Sequence, residues 1–177
     1  MRFAAVLVLV ALALPATASA GRRTVQQKMA AIALREARRN VQEIPTHSNT
    51  GPEIRKYHTA VKHAHPTEPW CAIFVSWVAR QAGYPLGSVS QGIWDVQNLF
   101  KWGRAEGFYF RKGTRRPKVG DIAVHGYGHA GIVVRIMADG SVWSVDANWS
   151  DSVRYHPEPS ISIDGYIRLP STPRAAG

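Results

Sequence analysis

Glu68-Pro69-Trp70-Cys71-Ala72-Ile73-Phe74-Val75-Ser76-Trp77-Val78-Ala79-Arg80-Gln81-Ala82-Gly83 is the stretch whose reading decides the fold. It is a largely apolar run with Pro69 suited to the first helical position and Gly83 to the C-cap, so it predicts the best-defined helix of the chain. Cys71, Val75, Val78 and Ala82 fall on one face of that helix, and Ser76 and Arg80 on another. Cys71 therefore stands at the N-terminal edge of the core-facing stripe.

Cys71 is the one cysteine among 177 residues, so no internal disulfide forms and the thiol needs another reason. Cysteine attacks as the thiolate, and the unpaired N–H groups of a first helical turn stabilise such an anion. The same groups could hold the oxyanion of a tetrahedral intermediate. The plainer alternative is a structural cysteine, a residue type often found buried.

Working outward, Val25, Met29, Ile32, Ala33 and Leu34 recur near helical spacing between Val25 and Val41, with Thr24 as N-cap. Glu43 to Pro52 is dense in turn formers and reads as an ordered loop, followed by a short helix through Ile54–Tyr57. Beyond a looser helical region anchored by Trp94, Phe100 and Trp102, the pattern changes at Pro117-Lys118-Val119-Gly120-Asp121. Short β-like runs follow: Ile122–His125, Ala130–Ile136, Val142–Val145, Val153–Tyr155 and Gly165–Leu169, with Asp139-Gly140 as a tight hairpin turn. Helices first and strands after imply an α+β domain, with N-terminal helices packed on a C-terminal antiparallel sheet.

Residues 1–20 read as a signal peptide: a charged start, an apolar run too short for a bilayer, Pro15, and the small-residue site Ala18-Ser19-Ala20. Cleavage near Ala20 would leave a secreted or periplasmic protein with no stable membrane insertion. The folded domain is expected over 21–170 and a frayed tail over 171–177. Removing the leader deletes Arg2 and no acid, which lowers the net charge from +10 to +9. Such a chain seeks anionic surfaces. Its basic residues are dispersed and no nucleic-acid motif accompanies them, so a cell-wall polymer is the expected partner, with no nucleic acid.

A base for Cys71 is sought among seven histidines. His129 stands out, because Gly126-Tyr127-Gly128-His129-Ala130-Gly131 puts it at the head of a strand edged by glycines, where another element can approach. His47, His58, His63, His65 and His156 read as surface residues. The spacing of His125 and His129 would suit a metal pair on a helix, but four residues along a strand separate them by about 13 Å, so no metal is expected. If Asp139-Gly140 is a two-residue loop, Gly131 lies opposite Asn148 and Val133 opposite Asp146, making His129 and Asn148 diagonal neighbours. Either Asn148 or Asp146 could accept a hydrogen bond from the imidazole and fix its tautomer. One β-bulge would shift the register between them. Trp70 and Trp149 could line a substrate groove, though tryptophan is equally a core residue.

Three motifs in order, Pro69-Trp70-Cys71-Ala72-Ile73-Phe74-Val75-Ser76-Trp77, Val119-Gly120-Asp121-Ile122-Ala123-Val124 and Gly128-His129-Ala130-Gly131-Ile132-Val133, resemble the CHAP domain of cysteine- and histidine-dependent amidohydrolases and peptidases. Glu43-Ile44-Pro45, Ser48-Asn49-Thr50-Gly51-Pro52 and Tyr57 extend the resemblance to roughly Ala30–Leu169. It implies a papain-like fold of the NlpC/P60 type. It also implies cleavage of amide bonds in peptidoglycan, as an N-acetylmuramoyl-L-alanine amidase or a peptide endopeptidase, without a cofactor. Asp146-Ala147-Asn148 stands where many members have Glu-x-Asn, a departure at its first residue. The expected site is thus Cys71, His129, Asp146 and Asn148 for catalysis, with Trp70, Trp149 and Asn49 toward the substrate, in a monomer. The competing expectation is a wall-binding or scaffold module that keeps the fold without turnover.

Overall fold

The computed structural model describes residues 23–126, 128–157 and 162–174. The expected signal peptide lies outside the described residues. Among the described residues four helices precede the sheet: α1 Val25–Arg38, α2 Arg55–His58, α3 Cys71–Gln81 and α4 Val96–Ala105. The strands are β1 Tyr109–Arg111, β2 Ile122–His125, β3 His129–Ile136, β4 Val142–Trp149, β5 Ser152–Pro157 and β6 Ile163–Ile167. They form one sheet in the order β1-β6-β2-β3-β4-β5, with antiparallel neighbours. The α+β class and the helices-on-sheet arrangement follow the expectation.

Thr24 caps α1 through a full capping box, its side chain accepting from the Gln27 N–H while Gln27 reaches back to the Thr24 N–H. Helix α3 begins two residues later than Pro69 suggests, with Trp70 as N-cap and Cys71 as its first residue. It ends at Gln81 with Ala82 as C-cap, after which Gly83 takes φ +92°, the left-handed conformation that glycine adopts without penalty. Every residue from Cys71 to Ala79 is buried, so α3 is enclosed all round rather than on one stripe. Ser76, expected on another face, is buried as well and bonds to the Ile93 backbone. The reason is tertiary: α1 and α2 flank α3, and β3 and β4 lie beneath it.

The main core joins the inner side of α1 and α3 to the sheet through Phe74, Val78, Ile122, Ile132, Val145 and their neighbours. Truncating a side chain as enclosed as Phe74 (0 % exposed) costs about 3–5 kcal/mol in such a setting. A smaller apolar cluster around Phe110, Val133 and Tyr166 covers a second part of the sheet.

Residues 171–174 are bonded to the domain. The Val25 N–H donates to the Ser171 carbonyl, the Arg174 N–H donates to the Gly83 carbonyl, and the Arg174 guanidinium reaches the Gly87 carbonyl. The tail expected from residue 171 is therefore bonded to the domain through Arg174. The β3–β4 hairpin also differs from expectation. Its loop is Ala138-Asp139-Gly140, three residues with Gly140 at φ +83°, closed by Met137 N–H to the Ser141 carbonyl.

Candidate active site

Cys71 is the first residue of α3, and Trp70 immediately before it makes the turn into the helix. His129 opens β3 and Asp146 lies within β4. A bulge at Val134, between the paired residues Val133 and Arg135, adds a second one-residue shift to that of the longer hairpin loop. Together they set Gly131 opposite Asp146 instead of Asn148. Two shifts of one residue preserve which face each side chain occupies, but they exchange the partner of His129.

Asp146 Oδ2 lies 2.8 Å from His129 Nε2. To get there the carboxylate passes directly over Gly131, where a Cβ would stand 1.9 Å from Asp146 Oδ1. Glycine at 131 is thus a requirement of the pair. With Nε2 engaged by Asp146, Nδ1 is left for the hydrogen bond between the imidazole and the Cys71 side chain. Cys71, His129 and Asp146 are 4 %, 8 % and 0 % exposed.

Burial alone would favour neutral His129. The hydrogen bonds to Asp146 and Cys71 and the electrostatic interaction with the two outweigh it, and the imidazole is raised to about 10. Burial likewise works against the Asp146 carboxylate, yet the bonded, charged His129 and a hydrogen bond from Ser144 hold it below the usual aspartate range. At neutral pH the proton rests on the imidazole, between the sulfur and the carboxylate.

His156, expected on the surface, belongs to this cluster. Its Nε2 is 3.8 Å from Asp146 Oδ2, and its ring stacks on Trp149 at 4.5 Å. Trp149 in turn meets the His129 ring edge-on at 5.4 Å. His156 reaches the site because β5 pairs it with Ser144, two residues from Asp146.

Asn148 does not hold His129. A register shift between Asp146 and Trp149 puts Asn148 at φ +58° and turns its side chain toward the 43–51 loop. There its amide donates to Glu43 Oε1 at 3.1 Å, accepts from the Trp70 N–H at 3.2 Å and lies 3.1 Å from the Asn49 amide. Glu43, 5 % exposed, also accepts from Trp70 Nε1–H at 2.9 Å and from the Asn49 N–H at 2.8 Å. One buried carboxylate thus ties the residue before Cys71, the end of β4 and the upstream loop together. Periodicity and spacing do not single out Glu43, whose contacts lie 27 residues along to Trp70 and beyond.

Trp70 is fully buried and stacks on Tyr57, so it is not a groove residue. Asn49 and Trp149 are half-buried beside the centre. The tryptophan that does line the cavity in front of Cys71 is Trp94, together with Glu68, Pro69, Asp95 and Val96, around a volume of about 220 Å³. The expected separation of about 13 Å between His125 and His129 does not hold, because the two are Cα partners across β2 and β3 with rings 5.6 Å apart. Burial pushes His125 down to about 4, and its Nδ1 pairs with Ser162 Oγ at 3.0 Å. Among the described residues, no group of three or more His, Cys, Asp or Glu side chains could hold a metal ion.

A family model described as the CHAP domain matches residues 63–148. That segment of the chain is similar to a CHAP domain. Comparison with curated proteins and with solved structures gives no match. The CHAP match takes in Cys71, His129, Asp146 and Asn148 and leaves Glu43 and Asn49 outside it. It points to a cysteine- and histidine-dependent hydrolase of the peptidoglycan amidase or peptidase kind, on a papain-like α+β fold. No helix among the described residues is long and apolar enough to cross a membrane.

Proposed function

We propose that the protein is an exported hydrolase that cuts an amide bond of bacterial peptidoglycan through an acyl-enzyme on Cys71. The observation that carries this reading is the bonded series Cys71–His129–Asp146, buried, with Cys71 lining a cavity.

His129 holds the thiol proton, so Cys71 Sγ attacks the amide carbonyl carbon as thiolate. The first-turn N–H groups of α3 face the developing oxyanion. The C–N bond then breaks, His129 gives its proton to the departing amine, and a thioester remains. Water, deprotonated by His129, attacks the thioester to release the carboxylate, and the proton returns to the sulfur–imidazole pair. Asp146 keeps the imidazole oriented and offsets its charge throughout. Export through residues 1–20 and the surplus of basic residues fit a substrate outside the membrane with anionic polymers around it.

Mass spectrometry of soluble products from purified wall tests the reading and identifies the bond. Wild type should release new amine and carboxyl ends, and Cys71→Ala should lower that release by at least about 10³-fold while still sedimenting with the wall. Release by neither protein leaves only a wall-binding module, and equal release by both removes Cys71 from the reaction.

A further inference from the structure

The cavity at Cys71 continues into a second one. The two share Val96, Gln97 and Gly128, and the second, of about 190 Å³, includes Asp164 in its lining. Val96 and Phe100 from α4 and Val124 from β2 give it an apolar side, beside the polar Gln97 and His125. Phe100 is braced edge-on by Tyr109 at 4.9 Å.

Asp164 reaches this place by an irregularity in the sheet. The β2–β6 register runs Val124 to Gly165 and then His125 to Ile163, leaving Asp164 as the extra residue of a bulge. Bulges beside active sites commonly re-aim a side chain. Here the carboxylate lies over Gly126, where a Cβ would stand 2.7 Å from Asp164 Oδ2. Arg111 and Lys112 share a separate hollow with Asp164, and neither forms an ion pair with it among the described residues.

The charge of the groove runs against that of the chain. The protein carries a net +10, yet neither cavity is lined by Lys or Arg among the described residues, while Glu68, Asp95 and Asp164 are. His125 beside Asp164 is held neutral by burial and adds no cation. Apolar side chains beside an exposed carboxylate, adjoining the cavity of the nucleophile, match an alkyl stem with a terminal cation.

Resting on the hydrolase reading above, we infer that this cavity is a substrate subsite for an alkyl side chain ending in an ammonium group, such as a diamino-acid residue of the peptide, with Asp164 as its counter-ion. The methylenes lie against Val96, Phe100 and Val124, and the ammonium meets the carboxylate that Gly126 admits.

The test uses a synthetic stem peptide carrying lysine and the same peptide with its ε-amine acetylated. Calorimetry on full-length Cys71→Ala should show the free-amine peptide binding at least about tenfold tighter. Adding Asp164→Asn should remove that difference, and so should Gly126→Ala, which displaces the carboxylate without changing it. Thermal melts identify a variant that has merely unfolded, and either variant suffices alone. Equal binding of both peptides, binding of neither, or a preference that survives both substitutions overturns the subsite. Turnover of the same peptides by wild type is read separately. Selective binding without cleavage sinks the hydrolase and keeps the subsite, whereas cleavage of both peptides after equal binding does the reverse.

Discussion

Asp146 and Glu43 are two buried carboxylates serving the same helix start, and they differ in what answers their charge. Asp146 faces imidazoles: His129 at 2.8 Å and His156 at 3.8 Å. Glu43 faces donors that keep their protons at any ordinary pH: the Asn49 N–H, the Trp70 indole N–H and the Asn148 amide. A carboxylate opposite a titrating ring governs where a proton rests. A carboxylate opposite fixed donors governs where backbone segments lie, here Trp70 beside the nucleophile and Asn148 two residues past Asp146. The first acts on the charge of the site and the second on its shape.

The sharpest way to break the comparison is Asp146→Asn. An amide cannot balance an imidazolium and selects the wrong tautomer, so kcat is expected to fall by about 10⁴. Stopped-flow or product assays on folded protein read this, and a loss below tenfold would remove Asp146 from the reaction.

Glu43→Gln should do less and do it differently. Three donors converge on the two Glu43 oxygens, so an amide must set its own N–H against one of them. The cost is about 1–3 kcal/mol of stability, with activity down about tenfold. The pH profile of the remaining activity should keep its wild-type midpoints, because no titrating group has lost its partner. A displaced midpoint would mean that Glu43 shares in setting the charge of the site.

The smallest effect separates the two carboxylates through pH alone. His129 is raised to about 10 in the folded protein from an ordinary 6.5, so its stabilising contribution is complete below 6.5 and is lost as pH rises through about 10. Asp146 is lowered, so its contribution is present above the ordinary 3.8 and is lost as pH falls through its depressed value. Denaturant titrations should show wild type losing its advantage over His129→Gln between pH 6.5 and 10. A constant advantage across that window would mean that the imidazole is not held charged.

Part of this centre was legible in the linear chain. A lone cysteine opening a helix, and a histidine heading a glycine-edged strand, are local patterns, and both side chains meet as those patterns suggest. Counting back from Asp139-Gly140 also narrowed the partner of His129 to the right strand and face. It selected Asn148 over Asp146 because a loop one residue longer and a bulge at Val134 are invisible to a simple count. His125 and His129 looked about 13 Å apart along one strand. They are instead Cα partners across β2 and β3. Trp70 and Trp94 exchanged roles for a related reason, since composition does not say which aromatic faces the core.

The sequence by itself determined where α1 and α3 form, which thiol heads a helix, that a sheet follows, and which family the chain resembles. Those properties depend on neighbours within a turn or two, where caps, periodicity and spacing act directly. Tertiary structure alone decided that Asp146 holds His129, that His156 joins them, that Glu43 ties Trp70 to Asn148, and that Asp164 faces the groove. Each depends on a register or bulge set by packing between segments far apart in the chain, where one extra residue changes every partner.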